Sequence, residues 1–143
     1  MSEKYKFHDQ EGIYFVSFAT VGWIDVFTRK HYKDIFIQSL EFCKQKKGLI
    51  LYAYVIMTNH VHLLISKEEN KITLSDIMRD LKKYTAVCLL EAIKENARES
   101  RKEWILNIFA KAGQYNVHNV HYQFWQQNNH PLYNPNTIIL NGF

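Results

Sequence analysis

Residues 54–66 read YVIMTNHVHLLIS, and two of them, His60 and His62, can do chemistry that the apolar residues around them cannot. Successive side chains of a strand point to opposite faces, so His60, His62 and Leu64 share one face and Val61, Leu63 and Ile65 the other. Two imidazoles spaced about 7 Å along one strand face can approach one ion, and neutral imidazole is a common metal ligand. The bland reading of an isolated H-x-H is a pair of hydrogen-bonded structural histidines. On the sharper reading, a divalent cation held there polarises a phosphodiester and leaves a separate nucleophile to attack phosphorus. A tyrosine suits that second role, because its aryloxide can form a reversible phosphotyrosine link.

The elements that must position this pair follow from the flanking pattern. LILYAYVIM at 49–57 is a strand, Thr58-Asn59 a short connection and HVHLLIS the next strand, which together predict a hairpin. Upstream, Gly12 precedes IYFVSFATV, apolar on both faces, as expected of a strand inside a sheet. Thr28 is placed to cap a helix with apolar positions Tyr32, Ile35, Phe36, Leu40 and Cys43, ended by Gly48. Thr73 or Ser75 starts a long helix carrying Leu74, Ile77, Met78, Leu81, Thr85, Cys88 and Ala92. Ser100 to Glu103 is a capping-box pattern that opens a shorter helix through Ala112, with Gly113 as its stop. Val120, Tyr122 and Phe124 alternate with His121, Gln123 and Trp125, which predicts a fourth strand, before Pro131 and Pro135 break the pattern.

This order, βαββαβ with one extra short helix, predicts an α+β fold: a ferredoxin-like four-stranded antiparallel sheet with its helices on one face. The other face is then open for the histidines, as on the sheets that nucleic-acid-binding domains use as platforms. A length of 143 residues and 47% apolar content fit one compact domain. The formal charge of +4 is a mild bias toward anionic partners. Cys43 and Cys88 lack CxxC spacing and read as core fillers, and no signal sequence or membrane-length apolar run is visible, so a cytoplasmic protein is expected.

MTNHVHLLI resembles the H-hydrophobic-H motif of the HUH single-strand transposases and relaxases. YFVSFATVGWIDVF, LSDIMRDLKKYTA and FWQQNNHP resemble, in order, segments of their single-tyrosine branch, the transposases associated with repetitive extragenic palindromes. The resemblance implies a transposase-like protein that binds single-stranded or hairpin DNA, without a membrane, sometimes as a homodimer. It further implies strand cleavage and transfer through a covalent 5′-phosphotyrosine, with Mg²⁺ or Mn²⁺ held by His60 and His62. Those ions prefer oxygen donors, so two imidazoles need further polar ligands.

In similar proteins a helix bearing the nucleophilic tyrosine follows the segment like FWQQNNHP. Here LYNPNTIILNGF stands instead, which divides the chain into a transposase-like domain over 1–130 and an irregular tail over 131–143 without that helix. Two substitutes for the nucleophile are Tyr84, at the edge of the long helix's apolar face, and Tyr133, in the tail. A remnant that binds DNA without cutting it, and an RNA-binding ferredoxin-like module whose histidines meet no metal, are the alternatives. Arg79, Lys82 and Lys83, on the side of the long helix away from Ile77 and Leu81, are either a solvated face or contacts to DNA phosphates. Trp125 and Tyr122 could stack on bases or pack inside, and His118, His121 and His130 match no known site.

Overall fold

The computed structural model describes residues 12–69, 72–114, 122–127 and, for the backbone, 132–134. The strands are β1 (Ile13–Ala19), β2 (Leu49–Ile56), β3 (His60–Lys67) and β4 (Leu132–Asn134), and the helices α1 (Lys30–Lys46), α2 (Leu74–Glu95) and α3 (Lys102–Gln114). The expected α+β class and antiparallel pairing are present. The sheet order is β2-β3-β1-β4, and every pairing is antiparallel.

The register sorts the side chains. Tyr14, Val16 and Phe18 of β1 stand opposite Ile65, Leu63 and Val61 of β3, and all six are buried. They share one core with Phe36, Leu40 and Cys43 of α1, Ile77, Met78, Leu81 and Leu89 of α2, and Ile105 and Phe109 of α3. The opposite face carries Phe15, Ser17 and Ala19, which stand opposite Leu64, His62 and His60. Period-two alternation therefore turns the apolar set inward and the histidines outward.

The hairpin between β2 and β3 is as the sequence predicts, closed by the Met57 amide donating to the His60 carbonyl at 2.8 Å. A bulge between Leu51 and Ala53 shifts the register of β2. Thr73 caps α2, its hydroxyl oxygen accepting from the Asp76 amide. Gly48 leaves α1 at φ 76°, the left-handed backbone its missing Cβ permits.

Three expectations need correction. Thr28 does not cap α1: its hydroxyl donates to the Asp25 carbonyl in a short 3-10 turn, and Arg29 takes the cap position. α3 runs one residue beyond Gly113, which is buried within it. The described part of the expected fourth strand, 122–125, is not a strand. There Trp125 makes one isolated bridge to Thr20, while the edge strand is β4, three residues between the two prolines in the segment expected to be irregular. Phe124 and Trp125 are both buried, and the backbone around them is bonded to Val21, Phe109 and Ala19 rather than to one neighbouring strand. Among the described residues no helix is long and apolar enough to cross a membrane.

Candidate functional site

His60 and His62 lie side by side on the sheet face away from the helices, half-buried, with ring centroids 4.8 Å apart and planes at 83°. Each ring is held through its Nδ1. Asn59 Oδ1 is 2.7 Å from His60 Nδ1, and the Asn59 amide nitrogen donates to the Trp23 carbonyl at 3.2 Å. That second bond decides which end of the amide is which: the oxygen faces His60, so His60 donates from Nδ1 and keeps its lone pair on Nε2.

His62 Nδ1 is 2.6 Å from Ser17 Oγ, and Phe15 stacks on the His62 ring at 5.2 Å and 22°. A hydroxyl both gives and takes, so this contact fixes the ring plane. Burial first, and then the neighbouring His60, lower the His62 pKa, which favours the neutral imidazole that a metal needs.

This geometry suits two nitrogen donors supported by outer partners, the arrangement seen around metal-binding histidines generally. Among the described residues no group of three or more His, Cys, Asp and Glu side chains is gathered. Among the described residues, the nitrogen donors gathered at this place are the two imidazoles.

The other sequence-predicted residues whose side chains are described do not join the pair. Tyr84 is on the far side of the sheet, stacked on Phe42 of α1 at 5.2 Å, and the two line a cavity of about 320 Å³ with Cys43, Lys47, Asp80, Lys83 and Val87. Tyr84 therefore stands apart from the two histidines. Tyr133 lies in β4 with its backbone opposite Tyr14.

Arg79 is exposed but bonded to Asp76 and Asp80 at 3.1 Å, so its charge is already balanced. Lys82 is not on a solvated face: its ammonium donates to the Gln126 carbonyl at 2.7 Å and lies 5.6 Å over the Phe18 ring. Burial pushes its pKa down to about 8. Lys83 is exposed beside the cavity between α1 and α2, across the sheet from the histidines. Trp125 is buried, donating its indole N–H to Thr85 Oγ1 at 2.9 Å, and cannot stack on a base. Tyr122 lies under the Lys94 ammonium at 4.4 Å. His118, His121 and His130 lie outside the described residues.

Two further residues contact the histidines. Asn59, a turn residue by sequence, bridges His60 and the Trp23 carbonyl, as an Asn amide with both donor and acceptor can. Ser17 is brought to His62 by strand register alone, 45 residues away in sequence.

The family model "Transposase IS200 like" matches residues 18–127. The chain belongs to the IS200-like transposase family. Among curated proteins, none matches its sequence significantly. A REP-associated tyrosine transposase, solved bound to a REP hairpin, superposes with a TM-score of 0.64 at 14% identity over 99% of this chain and 67% of that one. A protein assigned as a transposase in Deinococcus radiodurans R1 superposes with a TM-score of 0.57 at 16% identity, over 99% of this chain and 91% of that one. At such identities the two structures establish likeness of fold, and the family match carries the membership.

Proposed function

We propose that this IS200-like transposase binds single-stranded or hairpin DNA on the sheet face around His60 and His62, with a Mg²⁺ or Mn²⁺ ion held between the two imidazoles and a DNA phosphate. The observation that carries the reading is the paired rings, each held at Nδ1: Asn59 leaves the His60 Nε2 lone pair free, and the Ser17 hydroxyl, accepting from His62 Nδ1, would leave the second Nε2 free in the same way. The sheet order supports a ferredoxin-like arrangement with one face free of helices. The hairpin bound by the structurally similar REP-associated transposase supports the choice of ligand. A cation in this place would withdraw charge from a phosphodiester and make phosphorus a better electrophile. The chain's part is to hold both imidazoles in place: Asn59 sets the His60 tautomer, while Ser17 and Phe15 fix the His62 plane.

Strand transfer by this site would need a tyrosine hydroxyl at the phosphate, and Tyr84 stands across the sheet. That placement favours a second reading, binding and metal-assisted polarisation of the phosphate without cleavage. One experiment separates the two. The protein is mixed with a labelled hairpin oligonucleotide and Mn²⁺, and retention is measured before and after denaturation. Binding strengthened by Mn²⁺ is expected, with that dependence lost in the His60→Ala, His62→Ala double variant and much of the basal binding kept, because phosphate contacts spread over a surface. An adduct that survives denaturant establishes cleavage, in which a tyrosine oxygen bonds phosphorus and the 3′-oxygen leaves, and should vanish in Tyr133→Phe and persist in Tyr84→Phe. Full Mn²⁺ dependence in the double variant would refute the metal assignment.

A further inference from the structure

Beside His60 the chain presents a side chain with no evident role in the fold. Trp23 is 58% exposed, and its indole meets the His60 ring edge-on at a centroid distance of 6.2 Å. Two other exposed aromatics, Phe42 and Tyr84, stack on each other on the helical side of the sheet, away from the histidines. Phe15 occupies the His62 side of the pair and Trp23 the His60 side.

The backbone that presents this indole is strained and firmly held. Trp23 has φ 54°, the left-handed region that a bulky side chain rarely adopts, and it follows Gly22 at φ 68°. Such a conformation persists only where its surroundings over-determine it. Here the Trp23 amide donates to the Thr20 carbonyl at 3.1 Å, and the Trp23 carbonyl accepts from the Asn59 side chain. The Thr20 hydroxyl donates to the Ile24 carbonyl at 2.9 Å, and the Val21 amide to the Phe124 carbonyl at 2.8 Å. Asn59 thus joins the Trp23 turn and the His60 ring through one amide group. An exposed apolar surface on a rigid, strained turn is a costly arrangement for packing alone, because the indole gains little burial there.

We propose that Trp23 stacks on a nucleobase of the strand whose phosphate lies at His60 and His62, and so sets the register of that strand at the site. The proposal rests on the DNA-binding reading above. Every base offers a π-face to an indole, and a single aromatic platform contributes enough to change affinity severalfold to about a hundredfold. Because the turn and the His60 ring share Asn59, the stacked base and the bound phosphate stand at a fixed offset.

The test uses a hairpin oligonucleotide with a single-stranded extension, in which an abasic site is walked one nucleotide at a time and binding is read by fluorescence anisotropy. Wild-type protein should show one position where the missing base weakens binding about tenfold. Trp23→Ala should weaken binding to the intact oligonucleotide by a similar factor and be indifferent to the abasic site at that position. Trp23→Phe should restore most of the loss, and 2-aminopurine at that position should be quenched by wild-type and not by Trp23→Ala. Equal affinity of Trp23→Ala and wild-type for intact DNA, or an unchanged abasic footprint in Trp23→Ala, overturns the stacking role while leaving DNA binding in place. Wild-type protein that binds no such oligonucleotide overturns both readings.

Discussion

The chemistry at the candidate site depends on how each imidazole is held at Nδ1, and a single neighbour does the holding in each case. Asn59 is the sharper case, since its amide nitrogen is committed to the Trp23 carbonyl and only its oxygen is left for His60. Asn59→Ala should lower Mn²⁺ affinity about tenfold or more, the usual effect of losing an outer partner of a metal ligand, as measured by calorimetry on the whole chain. Asn59→Asp keeps the acceptor toward His60 and should recover most of that affinity; equal losses in both variants would mean that the tautomer is not what Asn59 controls. Ser17→Ala should also weaken Mn²⁺ binding, more modestly, because Phe15 still stacks on the His62 ring. The two histidines were legible in the sequence because alternation in a strand is a local rule. Ser17 was not, because its contact depends on the register between β1 and β3, which the local pattern leaves open.

Elements were legible wherever one period dominated. α2 and the β2–β3 hairpin lie within a residue or so of their expected spans, since their apolar positions and caps agree with one another. The segment around Trp125 misled because Tyr122 and Phe124 alternate by type while the chain there is irregular, tied down by bonds the sequence cannot display. The Gln123 amide reaches the Phe109 carbonyl, the Gln126 amide the Ala19 carbonyl, and the Lys82 ammonium the Gln126 carbonyl. Lys82 makes this tether dependent on pH. Its folded pKa of about 8 is below the usual 10.5, so between those values the unfolded chain holds a proton that the folded chain has released. Stability must then rise with pH across that window, and the charged form is a burden below pH 8. Lys82→Met should flatten the dependence between about pH 8 and 10.5 in denaturant titrations, after allowance for other groups. An unchanged slope would show that the ammonium is better solvated than its burial implies.

Over the whole molecule, one carboxylate far from the histidines ties the helices to the turn that precedes α1. Glu99, its side chain fully enclosed, bonds Arg29 at 2.8 and 3.0 Å, accepts from the Tyr32 hydroxyl at 3.0 Å, and accepts from the Arg101 backbone and guanidinium. Arg101 reaches on to Asp25 at 2.5 Å, while its Nη2 is the one buried side-chain polar atom without a partner among the described residues. The residues involved are spread from 25 to 101, so their charges read as ordinary surface residues until the fold gathers them. Burial alone would raise the Glu99 pKa, but the bonds from Arg29, Arg101 and Tyr32 outweigh it and bring the value down to about 2 from 4.5. Its contribution to stability is therefore fully present above about pH 4.5 and is lost as pH falls through 2, where the folded carboxylate finally takes up its proton. Glu99→Gln should lose on the order of 3 kcal/mol at pH 7, because it leaves Arg29 and Arg101 without their shared anion, and the difference from wild type should shrink as pH falls from 4.5 toward 2. Urea unfolding at a series of pH values measures this directly. A gap between variant and wild type that stays constant from pH 7 down to pH 2 would mean that Glu99 acts through packing rather than charge.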